Sequence, residues 1–324
     1  MSSSCSPDDW VRLMGDVDAA PSILNTKPWF FGLVSGNRIE LRPRWERHLK
    51  VIDPRHRELF ISCGAALFNL RMAIRVTGHD PVVWLLPGRT GATAVCEHCG
   101  NRCGTGDLLA SVEVVLRRAH PGTATEQRLY EAIPERHTVR EPFSHGLQMN
   151  MLIELERVAR MEGADARLLH RRETERVLRS AAQTDKELTL DSSYLAEINN
   201  WTGGDPGSGL GVAAAKFGPK PKGQHHPPVR DFGPGSPDPR EVKKFEKHPQ
   251  LIALETQTDT PSDWIRAGQA LQRLLLTATC YGVETSFLTQ HLEAGDKETG
   301  TCQPAHQWWQ WPRPAQMIIR VGSQ

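Results

Sequence analysis

Two stretches, Ile61-Ser62-Cys63-Gly64-Ala65-Ala66-Leu67 and Ile265-Arg266-Ala267-Gly268-Gln269-Ala270-Leu271, can be laid on one another without a gap. The match extends outward, with Leu70 meeting Leu274 and Gly78 meeting Gly282. Gly64 and Gly268 fall inside helical patterns, where glycine costs about 1 kcal/mol against alanine. The same costly residue at the same place in both copies predicts two long helices whose backbones approach closely. The first helix reads from about Pro54 to Val76, and Leu59, Phe60, Cys63, Leu67, Leu70 and Ile74 cover more than one of its faces, which predicts burial. The second opens at Thr260-Pro261, a capping residue followed by proline at the first helical position. The repeat predicts two similar halves, residues 1–130 and 131–324, packed about a pseudo-two-fold like an isologous dimer fused into one chain.

Around these helices the pattern alternates between strands and helices. In the first half, Asp8 to Met14 reads as a short helix. Trp29–Val34 and Arg38–Arg42 read as strands about the turn Ser35-Gly36-Asn37, and Val82–Leu86 and Val112–Leu116 as further strands. In the second half, helices are expected over Met149–Glu162, Glu173–Ala182 and Ser193–Trp201. Strands are expected over Arg167–His170, Leu251–Thr256, Thr285–Thr289 and Gln316–Val321. Gly203 to Pro239 has a different character, dense in Gly and Pro and short of large apolar residues. A loop of that length inside a domain is functional or disordered.

Composition excludes several classes of function. With 324 residues the chain holds two domains or one large one, and 39% apolar with 24% charged residues is ordinary for a globular protein. A formal net charge of +1 gives no general pull toward nucleic acid or a membrane surface. No apolar run approaches a membrane span, and Met1 to Gly15 lacks a signal-peptide core. Seven scattered cysteines give no disulfide framework, so a reduced, cytoplasmic protein is expected.

The chemistry concentrates in Glu135-Arg136-His137-Thr138-Val139-Arg140-Glu141-Pro142-Phe143. Arg136 and Arg140 carry permanently charged forks of donors that match phosphate oxygens, and Thr138 adds a hydroxyl between them. An amphipathic run follows (Met149, Leu152, Leu155, Val158, Ala159), so the donors lie ahead of a helix, as a bound phosphate monoester requires. A second polar stretch, Pro21-Ser22-Ile23-Leu24-Asn25-Thr26-Lys27-Pro28-Trp29, is stiffened by its bracketing prolines. Cys96-Glu97-His98-Cys99-Gly100-Asn101-Arg102-Cys103 holds half a zinc knuckle, with Cys103 or His98 as a third ligand. A structural zinc needs four ligands and no second Cys-x-x-Cys exists, so a surface loop with free thiols is the competing reading and no metal is expected. Trp308-Trp309-Gln310-Trp311 marks either a contact surface or rings packed beside the last strand.

Arg136-His137-Thr138-Val139-Arg140 resembles the Arg-[Arg/His]-[Ser/Thr]-x-[Arg/Lys] phosphate motif of nitroreductase-like flavoproteins, and Pro21 to Trp29 resembles their Pro-Ser-x-x-Asn-x-Gln-Pro-Trp loop. The arginine motif occurs only at the start of the second half, which resembles the fused, pseudo-dimeric Acg-type family of actinobacteria. Asp53-Pro54, Arg57-Glu58-Leu59, Asp263-Trp264 and Leu288-Thr289-Gln290 agree, and the likeness covers most of the chain. It implies an α+β nitroreductase-like fold with antiparallel sheets flanked by long central helices, one FMN per chain, and a monomer whose internal pseudo-dimer completes the site. It also implies phosphate contacts from Arg136, Thr138 and Arg140, with His137 in the same motif. Ser22, Asn25 and Lys27 would approach the isoalloxazine ring, and Leu288, Thr289 and Gln290 would lie beside it. Gly203–Pro239 would form a lid, anchored by Phe217 or Phe232. The implied activity is FMN-dependent hydride transfer from NAD(P)H to a small molecule. Flavin sequestration without turnover, or a scaffold that has lost its flavin, are the alternatives. Lys27 stands where the family has Gln, and Leu24 where Acg-type proteins often have His. The basic, Pro-rich tail usual in relatives has no counterpart after Gly322-Ser323-Gln324, which implies weaker phosphate binding.

Overall fold

The computed structural model describes residues 7–35, 37–87, 108–116, 122–204, 206–223, 226–232, 240–290, 292–293 and 313–324. The Cys96–Cys103 stretch and the Trp308–Trp311 cluster lie outside them. Two 20-residue helices, α2 (Arg57–Val76) and α7 (Pro261–Cys280), form the centre. They cross at the paired glycines. A Cβ on Gly64 would sit 3.0 Å from the Gly268 Cα and overlap the Ile265 carbonyl oxygen, and one on Gly268 would sit 2.8 Å from the Gly64 Cα. The close approach expected from the sequence is therefore present, and only a residue without a Cβ fits it.

Each central helix carries a four-stranded antiparallel sheet. The first half contributes β1 (Trp29–Ser35), β2 (Arg38–Pro43), β3 (His79–Leu85) and β4 (Ala110–Leu116), in the order β1-β2-β4-β3. The second contributes β5 (Asp165–Leu168), β8 (Gln250–Glu255), β9 (Glu284–Phe287) and β10 (Ala315–Gly322), in the order β5-β8-β10-β9. Two short strands, β6 (Lys220–Pro221) and β7 (Val242–Lys243), pair in parallel beside them. The remaining helices are α1 (Pro7–Asp18), α3 (Ala124–Glu131), α4 (Met149–Arg160), α5 (Arg171–Leu188) and α6 (Ser192–Asn200). The expected α+β architecture with antiparallel sheets is the observed one. One apolar cluster runs through both halves, from Phe31, Leu41 and Leu67 to Ile265, Leu274 and Ile319, with smaller clusters beside it.

Local chemistry explains where expected bounds shifted. Helix α7 starts as read, because the Thr260 hydroxyl accepts from the Asp263 N–H while Asp263 reaches back to the Thr260 N–H. Helix α2 starts at Arg57, three residues later than expected. His56 lies in the left-handed region (φ 63°), and the Asp53 carboxylate caps from upstream by accepting from the Glu58 and Leu59 N–H groups at 3.1 and 2.8 Å. Helix α2 is long and apolar enough to cross a membrane by length and composition, but most of it is buried inside the protein. Helix α3 was not foreseen, although Thr123 and Glu126 form a capping box. In α4, Leu152, Leu155, Val158 and Ala159 are buried as the periodicity requires, whereas Met149 is exposed.

The Gly/Pro-rich segment forms no core element of its own but is anchored, as expected, through Phe217, with Phe232 packed beside it. Val212, Phe217 and Val229 are buried, and Val212 and Phe217 join a cluster with Leu24, Leu49, Ile52, Tyr194 and Ile198. A few well-placed apolar residues anchor a segment whose average composition reads as coreless.

Candidate functional site

The segment from Ser22 to Lys27 holds three non-glycine residues in the left-handed region: Leu24 (φ 45°), Asn25 (φ 53°) and Lys27 (φ 46°). Such conformations persist only where surroundings over-determine them, and they gather at functional sites. The bonds that hold this loop are specific. The Lys27 N–H donates to Ser22 Oγ at 2.9 Å, and the Ile23 N–H donates to Ser62 Oγ at 3.2 Å. Arg47 donates to the Lys27 carbonyl at 2.9 Å.

The arginine motif is held at the edge of the second sheet. The Val139 N–H donates to the Thr285 carbonyl of β9 at 2.8 Å. Arg320, fully buried, donates through Nη2 to the Glu141 carbonyl at 2.9 Å and through Nε to Glu246 at 2.6 Å, with Phe143 3.8 Å beneath its guanidinium. The motif thus rests on β9 and a buried arginine. The N-terminus of α4, at Met149, does not line the cavity, which corrects the expectation of a helix-terminus phosphate site.

The Ser22–Lys27 loop, the arginine motif and the end of β9 enclose one cavity of about 820 Å³. This lies within the size range of ligand pockets, about 300–1,000 Å³. Ser22, Asn25, Lys27, Arg136, His137, Thr138, Arg140, Thr289 and Gln290 all line it. Leu288 does not: it is fully buried in a separate cluster with Leu251 and Ile318, and its N–H donates to the Ile318 carbonyl. Leu288 lies just past the end of β9, where its side chain packs into that cluster and not toward the cavity, which corrects its assignment as a cofactor contact. Asn25 lines the cavity but its amide nitrogen is already engaged, donating to the carbonyls of Gly209 and Gly211 at 3.2 and 3.0 Å. It fastens the Gly/Pro-rich segment to the strained loop.

The cations of the site differ in what they have for partners. Nε and Nη1 of Arg136 are buried without a hydrogen-bond partner among the described residues, and burial pulls the pKa of its guanidinium down to about 10. Arg140 is also pulled down to about 10, by burial and then by the neighbouring Arg230; it donates to the Lys216 carbonyl at 2.9 Å and lies 4.9 Å from the Phe232 ring centre. Arg230 is neutralised. It grips Glu293 through both terminal nitrogens at 2.9 and 2.5 Å and donates to the Tyr194 hydroxyl at 2.5 Å. Burial opposes its charge, but Glu293 and Tyr194 hold its pKa above the ordinary arginine value. Glu284 faces the same cavity with Oε2 buried and unpartnered; burial raises its carboxyl, and His137 and Arg320 oppose the rise. A desolvated, unpaired guanidinium beside a hydroxyl is suited to bind an anion.

Comparison with known proteins fits this geometry. No protein-family model matches the chain. Two Mycobacterium tuberculosis proteins that carry the name "Putative NAD(P)H nitroreductase" do. Rv3131 is 30% identical over 304 residues, covering 94% of this chain and 81% of its own length, and acg is 26% identical over 311 residues, covering 94% and 85%. The chain belongs to this nitroreductase-like family. A crystal structure of a nitroreductase with bound FMN from Bacteroides fragilis overlaps 60% of this chain and 88% of its own, at 11% identity and a TM-score of 0.37. Membership in the family rests on the sequence match.

Residues that family motifs did not reveal complete the cavity's surroundings. Asp185 and Glu293 lie outside every motif. Asp185 carried one signal: it follows Thr184 on the stripe of α5 that also buries Val177, Leu178, Ala181 and Leu188, an unusual place for a carboxylate. Glu293, three residues past the family's Leu-Thr-Gln turn, gave none.

Proposed function

We propose that this protein is an FMN-dependent oxidoreductase that passes hydride from NAD(P)H to a small-molecule acceptor. The observation that carries the reading is Arg136, a buried guanidinium with two unpartnered nitrogens on the wall of a cavity large enough for a mononucleotide. Among the lining residues, the arginine motif offers the phosphate-matching chemistry, and the Ser22–Lys27 loop offers fixed polar groups suited to a hydrogen-bonding ring. Arg136 and Thr138 would hold the phosphate, with Arg140 and His137 beside them. Ser22 and Lys27 from the strained loop, and Thr289 and Gln290 from the end of β9, would face the ring. FMN, when bound, supplies the hydride-accepting chemistry, and the protein supplies position, charge and exclusion of water. The two halves of the chain both contribute lining residues, so a monomer suffices in this reading, and no metal takes part.

A second reading, flavin sequestration without turnover, is favoured by one observation. Gly209, Gly211, Phe232 and Arg230 of the Gly/Pro-rich segment line the cavity, and that segment is fixed there by the Arg230–Glu293 pair and by Asn25. Such a segment acts as a lid that shuts substrate out or opens for it. Anaerobic titration of the FMN-loaded protein with NADPH and NADH separates the readings. Bleaching of the flavin absorbance at stoichiometric reductant supports the oxidoreductase. Flavin that stays oxidised while dithionite still reduces it supports sequestration.

A further inference from the structure

Gln290 is 1% exposed yet stands on the cavity wall. Its Nε2 donates to Asp185 Oδ2 at 3.2 Å, and its Oε1 is buried with no partner among the described residues. An ionised carboxylate can only accept, so the amide must turn its NH₂ toward Asp185 and its oxygen away. Local donors that could satisfy that oxygen are engaged elsewhere. Thr289 Oγ1 donates to Glu293 at 3.1 Å, and the terminal nitrogens of Arg230 serve Glu293 and Tyr194. A buried acceptor left unmatched is destabilising unless something supplies a donor.

We propose that Asp185 is a positioning residue that locks the Gln290 amide with its oxygen left as an acceptor for a ligand N–H, making this end of the cavity selective for a planar ligand with an imide or amide donor. The proposal rests on the reading of the cavity as a flavin site and deepens it by assigning the recognition of the imide edge to a carboxylate that does not line the cavity. Asp185 itself is costly to keep. Burial pushes its carboxyl up to about 6, even though Arg230 and the Gln290 amide favour its charge, while Glu293 and Asp231 oppose it. A neutral residue on the buried stripe of α5 would avoid that cost, and perturbed carboxyls of this kind gather at functional sites.

The test compares FMN with 3-methyl-FMN, in which a methyl group replaces the imide hydrogen. Dissociation constants of both are measured by flavin fluorescence titration at pH 8 for the wild-type protein, Asp185→Asn and Gln290→Ala, with circular dichroism confirming that each is folded. The wild-type protein is expected to prefer FMN by roughly tenfold or more, as one hydrogen bond to a buried acceptor requires. In Asp185→Asn the preference should shrink toward unity, because asparagine can present either an oxygen or an NH₂ and lets the Gln290 amide turn. Gln290→Ala should show the same loss and carries the test if Asp185→Asn does not fold. A preference that survives unchanged in both variants would reflect only the bulk of the methyl group and overturns the proposal while leaving the flavin site intact. Equal binding of the two flavins by the wild-type protein also overturns it. Binding of neither flavin removes the proposal together with the reading it rests on.

Discussion

Replacing Gly268 by alanine tests the packing on which the whole architecture depends. The added Cβ would overlap the Ile61 carbonyl oxygen and lie 2.8 Å from both the Gly64 Cα and the Ile61 carbonyl carbon, against 3.4–4 Å for ordinary contact. The obstructing atoms are backbone of a buried helix, so no side chain can swing aside. To clear the Ile61 oxygen the helices must separate by more than about 1 Å at the crossing, loosening packing that both halves share. Overpacking costs about 1–3 kcal/mol, and more where relief is blocked. Gly→Ala within a helix returns about 1 kcal/mol. With backbone overlap placing the cost at or above the upper end, about 3 kcal/mol, a net destabilisation of about 2 kcal/mol is expected, read as a lower urea midpoint by circular dichroism. Gly15 in α1 is the control, since nothing lies within 4 Å of its would-be Cβ. Gly15→Ala should leave stability unchanged or raise it by up to about 1 kcal/mol. Equal midpoints for Gly268→Ala and the wild-type protein would refute the close crossing.

Three further outcomes are expected. Glu293→Ala strands the buried Arg230 and should cost about 3–5 kcal/mol by urea denaturation, with most of the loss recovered in Arg230→Met/Glu293→Leu; a loss below about 1 kcal/mol would show that the pair does not hold the segment. Asp185 has a folded pKa of about 6 against 3.8 for the free group, so the folded state favours its protonated form. The stability this contributes is full below about 3.8 and is lost as pH rises through 6. Asp185→Asn should therefore melt above the wild-type protein at pH 8, with the gap closing toward pH 4; a wild-type protein that is the more stable at pH 8 contradicts the sign. Limited proteolysis should cut preferentially between residues 203 and 239, and FMN shown to be bound should slow the cutting; equal rates with and without FMN would mean the segment does not cover the site.

The sequence made some features legible because one residue carried the physics. Gly64 and Gly268 announce a backbone contact that no other residue permits, and Thr260-Pro261 announces a helix start. The arginine motif and the Pro-bracketed loop were readable because guanidinium forks and stiff polar turns each suit few tasks. What stayed hidden depends on contacts distant in sequence. Asp53 caps α2 from beyond its N-cap, which no local rule finds. Arg320 is a charge inside a mostly apolar strand, fully buried because Glu246 and the Glu141 carbonyl meet it there. Leu288 belongs to the same motif as Thr289 and Gln290, yet past the end of β9 its side chain packs against Leu251 and Ile318 while its two neighbours reach the cavity. Asn25 lines the cavity as its motif implies, but that its amide nitrogen donates to the Gly209 and Gly211 carbonyls depends on chain more than 180 residues away.

The central claim is that Arg136 holds the phosphate of FMN in this cavity, and a double comparison tests it most directly. Dissociation constants for FMN and for riboflavin, which lacks the phosphate, are measured by calorimetry for the wild-type protein and for Arg136→Ala. Charge-assisted hydrogen bonds are worth about 1.5–3 kcal/mol each, so the wild-type protein should prefer FMN by roughly tenfold to more than a hundredfold. In Arg136→Ala that preference should collapse, with riboflavin affinity little changed. A wild-type protein that binds both flavins equally, or a preference for FMN that survives the loss of Arg136, would contradict the account.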